Sequence, residues 1–147
     1  GHLEGDDTDS HIDTLARFAP CDTILYVKCY DTSDSHYREL AMMEEELKAF
    51  RTAAGDPYNL VGLPLPDAVY DDDGYRLPAT YANFLITPGY VLMPTYRQPG
   101  NDLLAKQMIQ VAFPDREVVG IECMALIKQH GSLHCATMQL PEGIIKV

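Results

Sequence analysis

The apolar positions of this chain fall first into short runs of strand character. Residues 11–18 (HIDTLARF) and 22–28 (DTILYVK) read as two strands around a turn-like break at Ala19, Pro20 and Cys21. The spacing then becomes helical. Leu40, Met43, Leu47 and Phe50 predict a helix over about residues 36–52, with Asp34 or Ser35 as its cap. A short apolar strand at 60–65 ends at Pro66, and DDDG at 71–74 reads as a loop. Residues 81–87 and 90–95 read as two further strands joined by a turn at Pro88 and Gly89. A second helix is predicted over about 102–113, ended by Pro114, with Leu103, Leu104, Met108 and Val111 as its core stripe. Residues 117–123 form the next strand.

The order strand, strand, helix, strand therefore occurs twice, with a period of roughly seventy residues, and a third copy begins at Leu133. Superimposing the copies sets Ser10 to Asp13 beside Thr80 to Asn83 and beside Ser132 to Cys135. Radially repeated units converge side chains on a common centre, so Asp13, Asn83 and Cys135 are expected to be neighbours. Chance alignment of three short strands is the competing explanation.

Composition narrows the class. At 147 residues and 46% hydrophobic, the chain amounts to one domain with enough apolar material for a core. No apolar run approaches the length of a membrane span and no secretory leader opens the chain, which predicts a soluble, cytoplasmic protein. A formal net charge of -11 argues against nucleic acid and anionic membrane as partners. The same charge suits a cationic substrate, although acidity also serves plain solubility. Four cysteines, at 21, 29, 123 and 135, show no CxxC spacing and read as free thiols in a reducing compartment.

No metal or cofactor is expected. His130, His134 and Cys135 lack the ligand spacing of a zinc site. The acidic cluster of Asp6, Asp7, Asp9 and Asp13 fails as a calcium loop: counted from Asp7, Ile12 stands where Gly is required and Phe18 where Glu is. Cys21, Cys29 and Cys123 lie in or beside apolar strands and read as structural.

Cys135 has the best claim to chemistry. It stands in HGSLHCATMQ (130–139), where a loop enters a predicted strand and the sulfur would sit at the strand mouth. By itself it reads as a small buried hydrophobe. At the other end, GDDTDSHID sets Asp9, His11 and Asp13 at every second position, on one face if the segment is a strand. Together these supply a base, an anion and a nucleophile, the alternative being a solvated acidic loop with an incidental histidine.

The segments GDDTDSHIDTLARF, RLPATYANFLI, FPDREVVGIEC and HGSLHCATMQ resemble the agmatine deiminase and bacterial-type (Porphyromonas-type) peptidylarginine deiminase family, in the family's order and over nearly the whole chain. The resemblance implies a guanidine-modifying enzyme of the pentein fold, an α/β propeller. This chain would be the C-terminal part of a single deiminase domain, made of about two ββαβ repeats plus the start of a third. It further implies that Cys135 is the nucleophile, His11 the general acid and base, and Asp13 one of two carboxylates that grip the guanidinium. The second carboxylate and a catalytic Glu would lie in a missing segment upstream of Gly5. Asn83 is a candidate substrate-binding residue beside Asp13; Asn83 and Arg76 either line the site or brace a turn. Where many agmatine deiminases carry a glycine run with Asn before Ile-His-Cys, this chain has Gln129 to His134, which leaves the substrate open.

The implied reaction is hydrolysis of agmatine to N-carbamoylputrescine and ammonia, a step of putrescine and polyamine biosynthesis. The alternatives are peptidylarginine or free arginine as substrate, or a non-catalytic guanidine-binding fragment. Implied partners are a small cationic guanidine and the missing N-terminal segment, and a homo-oligomer is compatible with both. A delocalised guanidinium carbon is a poor electrophile, which is why such chemistry uses a soft thiolate and a carboxylate clamp.

Overall fold

In a computed structural model, residues 3–5 and 11–140 are described. A 3-10 turn, Ile12–Thr14, leads into β1 (Ala16–Ala19) and β2 (Thr23–Lys28). Helix α1 (Tyr37–Ala49) then carries the chain across to β3 (Asn59–Pro64). The second half holds β4 (Leu85–Thr87), β5 (Tyr90–Thr95), α2 (Pro99–Ala112), β6 (Glu117–Glu122) and the short α3 (Met124–Ile127). Two three-stranded sheets result, β1-β2-β3 and β4-β5-β6, each with an antiparallel hairpin and a parallel pair. The architecture is mixed α/β with small sheets.

The connections explain the directions. Hairpin turns need positive φ, and Cys21 (58°) and Asp22 (50°) supply it between β1 and β2, as Gly89 (82°) does between β4 and β5. Parallel strands need a crossover, which α1 and α2 provide. Strands β2 and β5 are central to their sheets: β2 buries Thr23 to Val27 without a break, and β5 buries Val91 and Met93.

Helix α1 turns Leu40, Met43 and Leu47 inward as its spacing predicts, but it ends at Ala49. Phe50 takes an extended conformation (ψ 148°) and is 53% exposed, so it leaves the stripe. Neither Asp34 nor Ser35 occupies the N-cap, which is His36. Asp34 instead accepts from the His36 N–H and ring and binds Arg76 through two bonds, at 3.0 and 2.8 Å. Arg76 is therefore a brace between its loop and the start of α1. The Asp71 carboxylate accepts from the N–H groups of Asp73 and Tyr75 and closes the DDDG turn.

Helix α2 begins three residues earlier than the apolar spacing suggests. Pro99 opens it, and Asp102 accepts from Gln98 N, Tyr96 N and the Tyr81 hydroxyl. Its buried face is Ala105 and Ile109, while Leu103, Leu104 and Val111 face solvent. Of the predicted stripe only Met108 packs against the core, partly buried beside the fully buried Ala105 and Ile109.

Two predicted strands are strands only in their second half, as β1 and β4, and the third is not a strand. Residues 12–14 turn, residues 80–84 run irregularly until β4 starts at Leu85, and residues 133–136 form a turn with no strand through residue 140. The third copy does not begin as a strand at Leu133, and Cys135 does not sit at a strand mouth. The reason is hydrogen-bond partnership. Thr14 N and Leu15 N close back on His11 O and Ile12 O, and Ala136 N and Thr137 N on Ser132 O and His134 O. In the middle segment the Tyr96 hydroxyl and Arg17 take the carbonyls of Thr80 and Phe84, which are thus lost to a ladder. The predicted alternation of Asp9, His11 and Asp13 on one face does not survive the 12–14 turn, and Asp9 itself lies outside the described residues.

Candidate active site

The three irregular segments meet. Their junction is Asn83, fully buried, with every polar atom of its side chain in use. Its Nδ2 donates to the Asp13 carbonyl (3.1 Å), to Asp13 Oδ2 (3.0 Å) and to Cys135 Sγ (3.3 Å). Its Oδ1 accepts from the backbone N–H of His134 (2.8 Å) and of Cys135 (3.3 Å). Asn83, expected beside Asp13, does lie against it, with its side-chain bonds spent on Asp13, His134 and Cys135. It joins segments 70 and 52 residues away into one constellation.

Cys135 is exposed, in the turn that follows Ser132. Its sulfur lies 3.6 Å from Asp13 Oδ2. Partial burial, joined by the negative charge of Asp13, raises the thiol above its ordinary value. Both causes favour the protonated thiol, and a positive charge brought beside Asp13 would relieve the second of them.

Burial works against the charge of Asp13, but the hydrogen bond and charge of His134 outweigh it together with Asn83 and Cys135. The carboxyl is held below its ordinary value. The His134 Nδ1 is 2.7 Å from Asp13 Oδ2. Sequence reasoning gave His134 no role, and no local spacing could link it to a carboxylate 121 residues away.

His11, two residues before Asp13, is exposed, and its carbonyl accepts from the N–H and hydroxyl of Thr14. Arg17 was also not singled out by its sequence. Its guanidinium donates to the Phe84 carbonyl (2.7 Å) and stacks 5.1 Å above the Phe84 ring, where it feels the charges of Asp13 and Cys135.

The loop that carries the thiol is pinned from below. Ser132 Oγ is 2.7 Å from the Tyr96 hydroxyl, and His130, at φ 62°, donates its Nδ1–H to Gly5 O (2.9 Å). A Cβ on Gly131 would come within 3.1 Å of Cys135 Cβ, so the smallest residue keeps the sulfur in place. A cavity of about 220 Å³ lies on this side of the sulfur, lined by Gln129, His130, Ser132 and Cys135. A groove of about 260 Å³ lies beside Asp13, lined by Ile12, Arg17, Phe18 and Phe50. Among the described residues no group of His, Cys, Asp and Glu is arranged to hold a metal ion, and no helix is long and apolar enough to cross a membrane.

The family described as Porphyromonas-type peptidyl-arginine deiminase matches residues 1–141. The chain belongs to this family. Among curated relatives, a candidate agmatine deiminase of Legionella pneumophila (strain Paris) is 31% identical over 96% of the chain, which spans 40% of that relative. Among solved structures, a candidate arginine deiminase from Porphyromonas gingivalis is 58% identical with a TM-score of 0.95, covering 99% of this chain and 42% of that one. A cysteine-to-serine variant of the C. jejuni agmatine deiminase with substrate bound is 40% identical with a TM-score of 0.82, covering 91% and 38%. This family member thus spans about two fifths of the length of the relatives it matches.

Proposed function

We propose that the full-length protein hydrolyses a guanidino group to a ureido group and ammonia, with agmatine as the first substrate to test. The observation that carries the reading is the exposed Cys135 thiol 3.6 Å from the carboxylate of Asp13, brought together across 122 residues. That pair offers a soft nucleophile beside an anion, which is what a planar cation with an unreactive carbon requires.

In this reading the guanidinium docks on Asp13, and its charge offsets the carboxylate that otherwise discourages the thiolate. Cys135 then attacks the guanidinium carbon, forming a C–S bond. The C–N bond to one amino group breaks as His11 delivers a proton, and ammonia leaves a thiouronium. His11 next draws a proton from water, whose oxygen attacks the same carbon; the C–S bond breaks and the ureido product departs. Water is the only co-reactant, and the chemistry uses no cofactor.

The deiminase domain would be a pentein-type propeller in which this chain supplies about two ββαβ units. The upstream part would contribute the second guanidinium carboxylate and the catalytic Glu. It would also cover the groove where Ile12 (64%), Phe18 (66%) and Phe50 (53%) stand exposed next to Asp13. A cytoplasmic enzyme of putrescine biosynthesis fits the acidic, free-thiol composition. The second reading takes free arginine or peptidylarginine as substrate. It is favoured by the 58% identity to a candidate arginine deiminase.

The test is to incubate the full-length protein with agmatine, free arginine and an arginyl peptide, and to measure ureido product and ammonia. Product from agmatine above the other two supports the first reading. Product from arginine or the peptide alone supports the second, and binding of all three without product would leave a guanidine-binding protein.

A further inference from the structure

We propose that His134 is a positioning residue that locks the Asp13 carboxylate and thereby sets how readily the Cys135 sulfur ionises. The kinetic part of this proposal rests on the deiminase reading; the ionisation part does not.

Among the described residues every hydrogen bond to the Asp13 carboxylate ends on Oδ2. The donors are His134 Nδ1 at 2.7 Å, Asn83 Nδ2 at 3.0 Å and the Cys135 thiol at 3.6 Å. Facing an ionised carboxylate, Nδ1 carries the proton. Oδ1 accepts none of these bonds and is the oxygen left for an incoming cation.

A carboxylate oxygen has about two lone-pair sites. With the imidazole and the amide in place, the sulfur is the third and most distant donor. Its proton is therefore only loosely held by Oδ2. Remove the imidazole and the thiol becomes the second donor to an oxygen with spare capacity, so losing its proton becomes harder. The carboxylate also loses one of its two strong tethers. Its terminal torsion is broad, and Oδ1 would then swing away from a fixed direction.

His134 is itself firmly placed. Its N–H donates to Asn83 Oδ1 at 2.8 Å, and its carbonyl accepts from Thr137 N (2.9 Å) and Thr137 Oγ1 (2.7 Å). The other charged group that feels this pair is Arg17, fixed on Phe84, which stays in place when His134 is changed. The side chain of His134 is 28% exposed, so substitution there does not open a cavity in the core.

The experiment uses the full-length protein with His134→Phe, His134→Asn and His134→Gln. Asn sets its amide nitrogen near the place of Nδ1, whereas Gln reaches past it. The readouts are the pH profile of iodoacetamide alkylation, followed on the Cys135 peptide because Cys21 is also exposed, and kcat and KM with agmatine. For His134→Phe the alkylation midpoint is expected to move up by about one pH unit, a roughly tenfold slower reaction at neutral pH. KM is expected to rise about tenfold or more, because the substrate-facing oxygen is no longer held. His134→Asn should return to within about threefold of the parent and His134→Gln should not.

An unmoved alkylation profile in His134→Phe, or equal impairment of the Asn and Gln variants, overturns the proposal. If His134→Phe does not fold, the Asn and Gln pair decides it alone. A parent protein that makes no ureido product from any guanidine defeats the deiminase reading, while the alkylation profile still decides the role of His134.

Discussion

Replacing Tyr96 with Phe removes one buried oxygen and should loosen two of the three segments that form the site. The hydroxyl donates to the Thr80 carbonyl at 2.9 Å and lies 2.7 Å from Ser132 Oγ. Thr80 opens the irregular segment that carries Asn83, and Ser132 precedes Cys135 in the thiol loop. Burial holds the phenol above its usual range, so it remains a neutral donor at all working pH values. Phe keeps the ring and its tilted contact with Tyr81, 5.6 Å between centroids, so the change reads the oxygen alone.

A typical bond is worth about 1 kcal/mol net, and losing one that leaves its buried partner unpaired costs about 1–3 kcal/mol in all. Thr80 and Ser132 are 0% and 2% exposed, so water does not reach them freely. Ser132 has the Cys123 thiol as a second neighbour, which relieves part of its loss. The expected cost of Tyr96→Phe is therefore about 2–3 kcal/mol. Tyr81→Phe is the control: its hydroxyl donates to Asp102, which keeps its bonds from Tyr96 N and Gln98 N, and the cost should be about 1 kcal/mol. Adding Ser132→Ala to Tyr96→Phe removes the orphaned hydroxyl, so the pair should cost about 1 kcal/mol less than the two single changes combined. The assay is urea unfolding of the full-length protein at unchanged m. A Tyr96→Phe variant within about 0.5 kcal/mol of the parent, or strict additivity with Ser132→Ala, refutes the reasoning.

Four further outcomes are expected. Cys135→Ser should lower turnover of the preferred guanidine by roughly three orders of magnitude or more while leaving binding of that cation, measured by calorimetry, largely intact. His11→Ala should block both ammonia release and thiouronium hydrolysis, whereas Asp13→Ala should chiefly raise KM; unchanged KM in the latter would sink the guanidinium assignment. Asp34 is the carboxyl with a marked acid-side effect: despite partial burial, its bonds from Arg76 and His36 hold it at about 2 against an ordinary 3.8. Because the unfolded chain binds that proton more readily, the stabilisation is present above pH of about 4 and fades as pH falls toward about 2. Urea midpoints of Asp34→Asn and the parent should therefore converge over that window, and a constant gap between them would count against it.

Strands β2, β5 and β6 and the body of α1 were legible because the information they need is local: an unbroken apolar run, or one face repeated at helical spacing. Aligning the segments around Asp13, Asn83 and Cys135 also anticipated that the three would meet, and family motifs at both ends of the chain marked the thiol and the HxD pair. What the alignment assumed was that they meet as strands. They meet as turns and irregular chain, because Tyr96, Arg17 and Asn83 take the polar groups that a ladder would have used, and those partners are 16, 67 and up to 70 residues distant. The inward face of α2 likewise holds Ala105 and Ile109 rather than the larger leucines. His134 is the clearest case: adjacent to the thiol in sequence, it acquires meaning only from Asp13, which lies at the far end of the chain. Periodicity along the chain encodes which residues seek burial, whereas a hydrogen bond between distant segments depends on where each lands, and only the folded arrangement decides that.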